Sequence, residues 1–173
     1  MVFGTAVRLL GSPAEAEDVA QTVFLRAFQR FDTIGSSPAA AGWLKTVTRN
    51  ACLNHLSRHR SRWRLFSELE RPGADPADAA ESPGIPGMID ERRLVAEGSP
   101  AVEMEARERR ARLEQALSQL PDHQRVPIVL FHFEEASYQE IADTLGVSLA
   151  KVKIDIHRGR EALRTLLADY APR

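Results

Sequence analysis

The amino-acid sequence predicts an all-α protein made of two small helical domains joined by a flexible linker. Apolar residues recur at helical spacing in both halves of the 173-residue chain, and no stretch shows a convincing strand pattern. Between Glu70 and Pro100 the chain instead carries repeated prolines and glycines without sustained periodicity. We therefore divide it into a helical domain at residues 1–66, a flexible acidic linker at 67–105 and a second helical domain at 106–173.

Charge is strongly segregated along the chain, although the net charge is only −1. Lysines and arginines without any acid occupy the stretch from Trp43 to Phe66. Acids dominate from Ser67 to Glu105, and positive charge returns after Ser148. Two basic patches separated by an acidic spacer indicate contact with a polyanion at two places.

Several classes of protein are disfavoured by composition. The single cysteine, Cys52, excludes an internal disulfide and suits a reducing compartment, so we expect a cytoplasmic protein. No run approaches the roughly 18 apolar residues of a membrane span, and the first residues lack the pattern of a secretory signal. No glycine-rich phosphate loop, zinc-protease motif or nucleophile triad is present, so the sequence predicts neither an enzyme nor a cofactor.

The first domain contains an amphipathic helix that starts at a clear signal. Ser12 is a good N-cap, Pro13 suits the first helical position, and Val19 and Val23 recur at helical spacing. Glycine, serine and proline then indicate a loop at residues 32–42.

A long helix is predicted next, from about Trp43 to about Arg64. It has one apolar side from Leu44, Val47, Ala51 and His55 and another from Leu53 and Leu56, so it would be wedged between neighbouring helices. The remaining surface is a polar ridge suited to base edges and phosphates, formed by Thr46, Asn50, Asn54, Ser57 and Arg58. A solvated face is the alternative, but two asparagines one turn apart are poor helix formers and favour function. Cys52, His55 and His59 share a side, yet no carboxylate base lies nearby, so we predict no metal site.

Two helices open the second domain. One runs from about Val102 and ends before Pro121, and a more apolar one follows. Pro127 is expected early in that second helix, where the missing N–H of proline costs least. A short helix near residues 90–97 is possible in the linker.

The stretch from Ser137 to Leu163 is typical of two short helices around a tight turn. Ala142 is the small residue that faces the partner helix, and Gly146 can take the positive φ of the turn. The shared core would come from Ile141, Leu145, Val147, Val152 and Ile156. A helical hairpin with no DNA role remains an alternative, which the basic second helix disfavours.

The second helix of this pair has a basic outer side. At about 100° per residue, the side opposite the core gathers Lys153, Ile154, His157 and Arg158. Asp155 falls on the flank beside Lys151, four residues after it and three before Arg158. We therefore expect Asp155 to hold both cations in helix ion pairs.

Three segments resemble one bacterial family, the extracytoplasmic-function (ECF) group of RNA polymerase sigma factors. AEDVAQTVFLRAFQRFD resembles its second-region motif, and GWLKTVTRNACLNHLSRHR resembles the helix that follows. LPDHQRVPIVLFHFEEASYQEIADTLGVS resembles the start and the turn of the fourth region. The resemblance covers roughly residues 6–66 and 113–167, with two motif-bearing domains in the right order.

The resemblance implies a non-enzymatic subunit that binds RNA polymerase core, directs it to promoter DNA and has an anti-sigma protein as a further partner. The polymerase dock would comprise Asp18, Gln21 and Phe24. The polar ridge around Asn50 and Asn54 would read and help open the minus-ten element, and residues 32–42 would border a pocket for an extruded base. The minus-thirty-five element would be contacted by Lys151, Lys153, Ile154, His157 and Arg158.

Two other functions remain open at this stage. A sigma-like module could bind an anti-sigma protein without initiating transcription, because Thr22 replaces the family's acid and the helix before Val7 is shorter than usual. A stand-alone helix-turn-helix regulator is the other, but it would have no use for a polymerase dock. The segment KVKIDIHRGR departs from the family's usual sequence, so the family's promoter preference does not carry over.

Overall fold

The computed structural model describes residues 1–58 and 100–168, which contain helices and no strand. The chain divides into two compact units, Met1–Gly73 and Ala74–Arg173, which we call unit 1 and unit 2 and take one at a time. The predicted all-α class is confirmed. In the two described ranges no helix is both long enough and apolar enough to cross a membrane. The end of the predicted long helix, the linker as far as residue 99 and the possible helix near residues 90–97 lie outside the described residues.

Unit 1 is built from the helices α1 (Val2–Leu10), α2 (Pro13–Gln29), α3 (Phe31–Ile34) and α4 (Ala40–Arg58). The first, second and fourth helices pack against one another. Gly11 ends α1 in the left-handed conformation, with φ 69°, and lets the chain turn directly into α2. The core is formed by Val2, Ala6, Leu9, Leu10, Ala16, Val19, Ala20, Val23, Cys52 and Leu56.

The start of α2 confirms the sequence signal. Ser12 has an extended backbone, its hydroxyl accepts a hydrogen bond from the Glu15 N–H, and Pro13 occupies the first turn. The helix therefore begins at a residue that satisfies one of its own free backbone donors.

The most buried stripe of α4 differs from the predicted one. Thr48, Cys52 and Leu56, spaced one turn apart, are 1%, 0% and 8% exposed. Leu44 and Val47, expected to form an apolar side, are only half-buried and flank this stripe. The stripe is deepest because α4 packs against two helices, α1 and α2, at once. A polar residue is tolerated there because the Thr48 hydroxyl donates to the Leu44 carbonyl at 2.7 Å.

Unit 2 is built from α5 (Pro100–Gln119), α6 (Asp122–His132), α7 (Tyr138–Leu145) and α8 (Leu149–Leu167). The last helix packs against each of the other three. Pro127 is the sixth residue of α6 and so lies beyond the first turn, later than predicted. It is nevertheless buried in the apolar run of α6, which compensates for the missing hydrogen bond by packing. Much of the core comes from Leu113, Leu117, Leu120, Val126, Ile128, Val129, Leu130, Ile141, Val152, Ile156 and Leu163.

Gly159 allows a close approach between α6 and α8. A Cβ added at this buried position would clash with Cδ1 of Ile128 and lie 3.2 Å from Cβ of Gln124. Its helical backbone would suit any residue, so the glycine is required by the nearness of the other helix.

Candidate nucleic-acid and protein interfaces

The helix-turn-helix of unit 2 is fixed by caps at both of its helices. The Ser137 hydroxyl accepts from the Glu140 N–H at 3.2 Å, and the Glu140 carboxylate accepts from the Ser137 N–H at 2.8 Å, which forms a complete capping box. Gly146 ends α7 with φ 67°, as its place in the sequence predicted. Ser148 then caps α8 by accepting from the Lys151 N–H. The turn that presents α8 is therefore determined by local chemistry.

The two sides of α8 differ as the helical wheel predicted. Val152 and Ile156 are 0% and 1% exposed and face the core. Of the five residues predicted to contact DNA, Lys153 is exposed, while Lys151, Ile154, His157 and Arg158 are half-buried. Partial burial of the basic side chains restricts their motion without removing them from solvent, so the outer side of α8 offers a preorganised basic surface.

Asp155 is buried and holds Lys151. Asp155 is 2% exposed, and its Oδ1 lies 3.3 Å from Nζ of Lys151. The Lys151 side chain is 23% exposed. The expected pair with Lys151 is thus present, although the carboxylate is deeper than a flank position suggested. Because this acid points inward, it does not place a negative charge on the outer side of α8.

A buried arginine near the middle of α8 was missed by the sequence reasoning. Arg160 is 6% exposed, and both its Nε and one terminal nitrogen lie 3.3 Å from Nε2 of His132 on α6. Its guanidinium carbon Cζ also lies over the Phe131 ring, 5.3 Å from the ring centroid, and that ring lies 4.8 Å from the ring of Tyr138. We call these four residues the Arg160 cluster. A helical wheel could have indicated that Arg160 is buried, since position 160 falls on the core side, close to Ile156.

His132 is the acceptor in the Arg160 cluster. Burial first, and the Arg160 charge second, lower the pKa of His132 from 6.5 to about 4. The ring is therefore neutral at pH 7 and can accept from the guanidinium through Nε2, provided that Nδ1 carries the proton.

Four of the five residues of the polar ridge of α4 face solvent, as predicted. Thr46, Asn50, Asn54 and Ser57 are all exposed. The hydroxyls of Thr46 and Ser57 donate to the Gly42 and Asn54 carbonyls of their own helix. Arg58, the fifth predicted member of the ridge, is the last helical residue of α4. The exposed amides of Asn50 and Asn54 are thus the groups on this ridge best suited to hydrogen bonds with bases.

The predicted dock on α2 is part of a wider apolar surface. Asp18 and Gln21 are exposed, and Phe24 is 56% exposed. Leu25 and Phe28, on the same side of the helix, are 60% and 80% exposed and were not singled out from the sequence. Helical spacing could have identified both, since Gln21, Phe24, Leu25 and Phe28 fall within one third of the wheel. Large exposed apolar side chains in a cluster mark a protein-binding surface.

A contact between an arginine and an aromatic ring links α2 to α4. The Arg30 guanidinium lies 6.0 Å from the centroid of the Trp43 ring, which joins the end of α2 to the start of α4. The short helix α3 occupies the first part of the predicted loop at residues 32–42. Within residues 1–58 and 100–168, no group of three or more histidine, cysteine, aspartate or glutamate side chains could hold a metal ion.

Comparison with known proteins gives matches over both units. Residues 1–62 match the family described as Sigma-70 region 2, and residues 110–163 match Sigma-70, region 4. The chain is 31% identical over 169 residues to the ECF RNA polymerase sigma factor SigW of Bacillus subtilis, covering 97% of this chain and 83% of that protein.

Two further similarities extend over nearly the whole chain. The ECF RNA polymerase sigma factor SigE of Mycolicibacterium smegmatis is 34% identical over 170 residues, which cover 98% of this chain and 58% of that protein. A solved structure of the sigma factor RpoE in complex with the anti-sigma factor NepR from Bartonella quintana aligns with 99% of this chain and 91% of that chain, with 23% identity and a TM-score of 0.49.

Proposed function

The chain belongs to the ECF group of RNA polymerase sigma factors. We propose which of its surfaces bind polymerase and which bind promoter DNA. As a member of that group it is a transcription initiation factor and not an enzyme; it binds RNA polymerase core and directs it to promoters. The proposal assigns the polymerase dock and the minus-ten element to unit 1 and the minus-thirty-five element to unit 2.

The outer side of α8 is the observation that carries the DNA assignment. The helix follows a capped turn with Gly146 in the left-handed conformation, its inner side is buried, and its outer side presents Lys153, His157 and Arg158. This matches the geometry in which the second helix of a helix-turn-helix enters the major groove and its side chains contact base edges. Lys151 and Lys153 would contribute mainly phosphate contacts, and His157 and Arg158 base contacts.

The exposed ridge on α4 is assigned to the minus-ten element. Asn50 and Asn54 present amides that can both donate and accept, as reading an unpaired base requires. Replacing either with alanine should impair promoter opening more than formation of the closed complex, because the ridge would contact bases only after they unpair.

Run-off transcription with purified core polymerase over a pool of random promoters tests the function as a whole. It detects initiation and yields the promoter consensus together. Permanganate footprinting of Asn50→Ala and Asn54→Ala then tests the ridge, with Gln115→Ala, an exposed residue of unit 2, as the matched control. Normal melting by both ridge variants would mean that the ridge is only a solvated face.

The exposed side of α2 is assigned to RNA polymerase core, with Asp18, Gln21 and Phe24 as contacts. Asp18→Arg should abolish the complex, because it places a cation against a surface adapted to an acid. Glu105→Arg, the same charge change at an exposed site in unit 2, should leave the complex intact. A native gel shift or light scattering measures both, and unchanged binding of the Asp18 variant would remove the assignment.

We also propose that the chain binds an anti-sigma protein and that it is located in the cytoplasm. Polymerase and promoters are in the cytoplasm, and the lone buried Cys52 suits that reducing compartment. If the purified chain bound an anti-sigma protein but gave no run-off product with core, the sigma-like module without initiation activity would replace the present proposal.

A further inference from the structure

The helix α8 is attached to α6 at two points that lie one turn apart on α6. At the first point, Gly159 lies so close to Ile128 that a Cβ would clash. At the second, Arg160 bonds to His132, four residues after Ile128. Residues at this spacing lie on the same side of a helix, so one stripe of α6 holds two successive residues of α8.

The two attachments restrict different movements of α8. The contact at Gly159 limits how closely α8 can approach α6, but an apolar contact has no preferred direction and so resists rotation about the helix axis less than hydrogen bonds do. The bonds from Arg160 are directional, because a planar guanidinium must present its N–H groups to one ring nitrogen. They therefore oppose rotation and sliding of α8.

The Arg160 guanidinium contacts both His132 and Phe131. Two of its nitrogens lie 3.3 Å from Nε2 of His132, and its Cζ lies over the Phe131 ring. Phe131 in turn contacts the Tyr138 ring, which belongs to the first residue of α7. The Arg160 cluster thus connects three helices of unit 2, including both helices of the helix-turn-helix.

A small rotation of α8 would be enough to change which bases are read. Side chains end at a radius of about 5–6 Å from a helix axis, so a rotation of about 20° moves their ends through about 2 Å. Hydrogen-bond lengths vary over only about 0.5 Å. His157 and Arg158 would consequently lose base contacts, while flexible lysines could still reach phosphates.

We propose that Arg160, held by His132 and Phe131, is a positioning residue that fixes the rotation of α8 and thereby the base preference of its outer side. Arg160 is 6% exposed, so in this role it orients the residues that contact DNA and does not contact DNA itself. This inference rests on the proposed role of α8 in reading the minus-thirty-five element. It separates the residues that contact bases from those that orient them.

The test compares variants that keep or remove the acceptor of the cluster. His132→Gln retains an oxygen that can accept near the position of Nε2, whereas His132→Phe retains a ring but has no acceptor. Arg160→Lys keeps the charge and loses the planar fork. Each full-length variant is assembled with core polymerase, and binding is selected on duplexes with a randomised minus-thirty-five element. Affinity for one scrambled duplex is measured at the same salt concentration.

The expected result is a loss of preference without a loss of general affinity. His132→Phe and Arg160→Lys should lower the preference for the best base over the next by about three- to tenfold at one or more positions. Binding to the scrambled duplex should stay within about twofold, since phosphate contacts dominate it. His132→Gln should keep most of the base preference that His132→Phe loses. A cluster that only supports the fold would not require this difference between the two variants.

Three results would overturn the inference. Unchanged preference in both His132→Phe and Arg160→Lys would show that the cluster does not position α8. Parallel loss of specific and scrambled-duplex binding in both variants, with lowered thermal stability, would show that it only holds unit 2 together. Arg158→Ala serves as the control for the proposed function. If α8 contacts bases, this variant must show a weaker base preference in the minus-thirty-five selection than the parent chain. An unchanged preference in that control would remove the DNA role of α8 and, with it, the positioning role.

Discussion

Asp155 shows how a charged residue in a helix that we propose to bind DNA can serve structure. Its carboxylate points inward and pairs with Lys151. Removing one partner of a buried pair leaves the other poorly compensated. Lys151 is partly exposed and can swing towards solvent, which reduces that cost.

We expect Asp155→Ala to lower the stability of unit 2 by about 1–3 kcal/mol and to leave the preferred minus-thirty-five sequence unchanged. Affinity for DNA at low salt should hold or rise slightly, because a negative charge is removed. Urea unfolding and binding selection measure the two effects, with Lys153→Ala as a control that weakens DNA binding but not stability. Loss of a cytosine preference in the Asp155 variant alone would show that its carboxylate reads a base.

His132 gives unit 2 a specific pH dependence. The folded pKa of about 4 lies below the unfolded value of 6.5, so between these pH values only the unfolded chain binds the proton. The contribution of neutral His132 to the free energy of unfolding of unit 2 is complete above about pH 6.5 and is lost as the pH falls towards 4. The ceiling of the effect is about 3 kcal/mol, and we expect about 1–2 kcal/mol because the ring is partly exposed.

An NMR titration of the His132 ring and urea unfolding at pH 7 and pH 5 check this expectation. His132→Phe should show a smaller stability loss between the two pH values than the parent chain. Arg160→Gln should raise the pKa of His132, since it removes a neighbouring positive charge. An equal loss of stability in the parent chain and His132→Phe would contradict the prediction.

At the scale of whole elements, the contact between α6 and α8 predicts a reversal in the effect of one substitution. Gly159→Ala alone should destabilise unit 2 by about 1 kcal/mol, because the strain against Ile128 outweighs the helix propensity gained. Ile128→Val removes the clashing Cδ1 and should itself cost about 0.5–1.5 kcal/mol. In the Ile128→Val background, Gly159→Ala should become neutral or stabilising.

A double-mutant cycle in urea measures this coupling, which we expect to be about 1–2 kcal/mol. Gly42→Ala is the matched control, because a Cβ added at that helical position meets nothing within 4 Å. Additive effects of the two substitutions would mean that α6 and α8 adjust their separation freely.

The sequence predicted those elements whose signals are local. Ser12 with Pro13, and Ser137 with Gly146, specify their turns through hydrogen bonds and φ values within a few residues. The buried stripe through Thr48 could not be predicted in this way, since it depends on which two helices meet α4. The Arg160 cluster likewise joins residues 28 positions apart, which no helical wheel relates. The bounds of the linker and the roles of individual site residues remain predictions.

At the scale of the molecule, each unit has buried apolar residues of its own. Trp43 and Trp63 lie in Met1–Gly73, and the chain contains no other tryptophan. Tryptophan fluorescence therefore reports on unit 1 alone. Leu117, which is 1% exposed, lies in the core of unit 2.

We expect Leu117→Asp to unfold unit 2, because it buries an unpaired charge, and to leave the fluorescence transition of unit 1 at the same urea concentration. Cys52→Asp is the reciprocal variant, which should shift that transition while the His132 resonance keeps its folded position. A shift of the fluorescence midpoint in Leu117→Asp would show that the units stabilise each other.

The attachment of α8 at Gly159 and Arg160 also limits how the promoter preference of the chain can be re-engineered. A helix grafted from another protein would need glycine and arginine at these two positions, or a smaller residue in place of Ile128 to admit an alanine. Positions 153, 154, 157 and 158 could then be randomised in a library, because none of them lies in the buried core. Such a library would vary the promoter sequence that α8 prefers and leave the position of α8 on α6 unchanged.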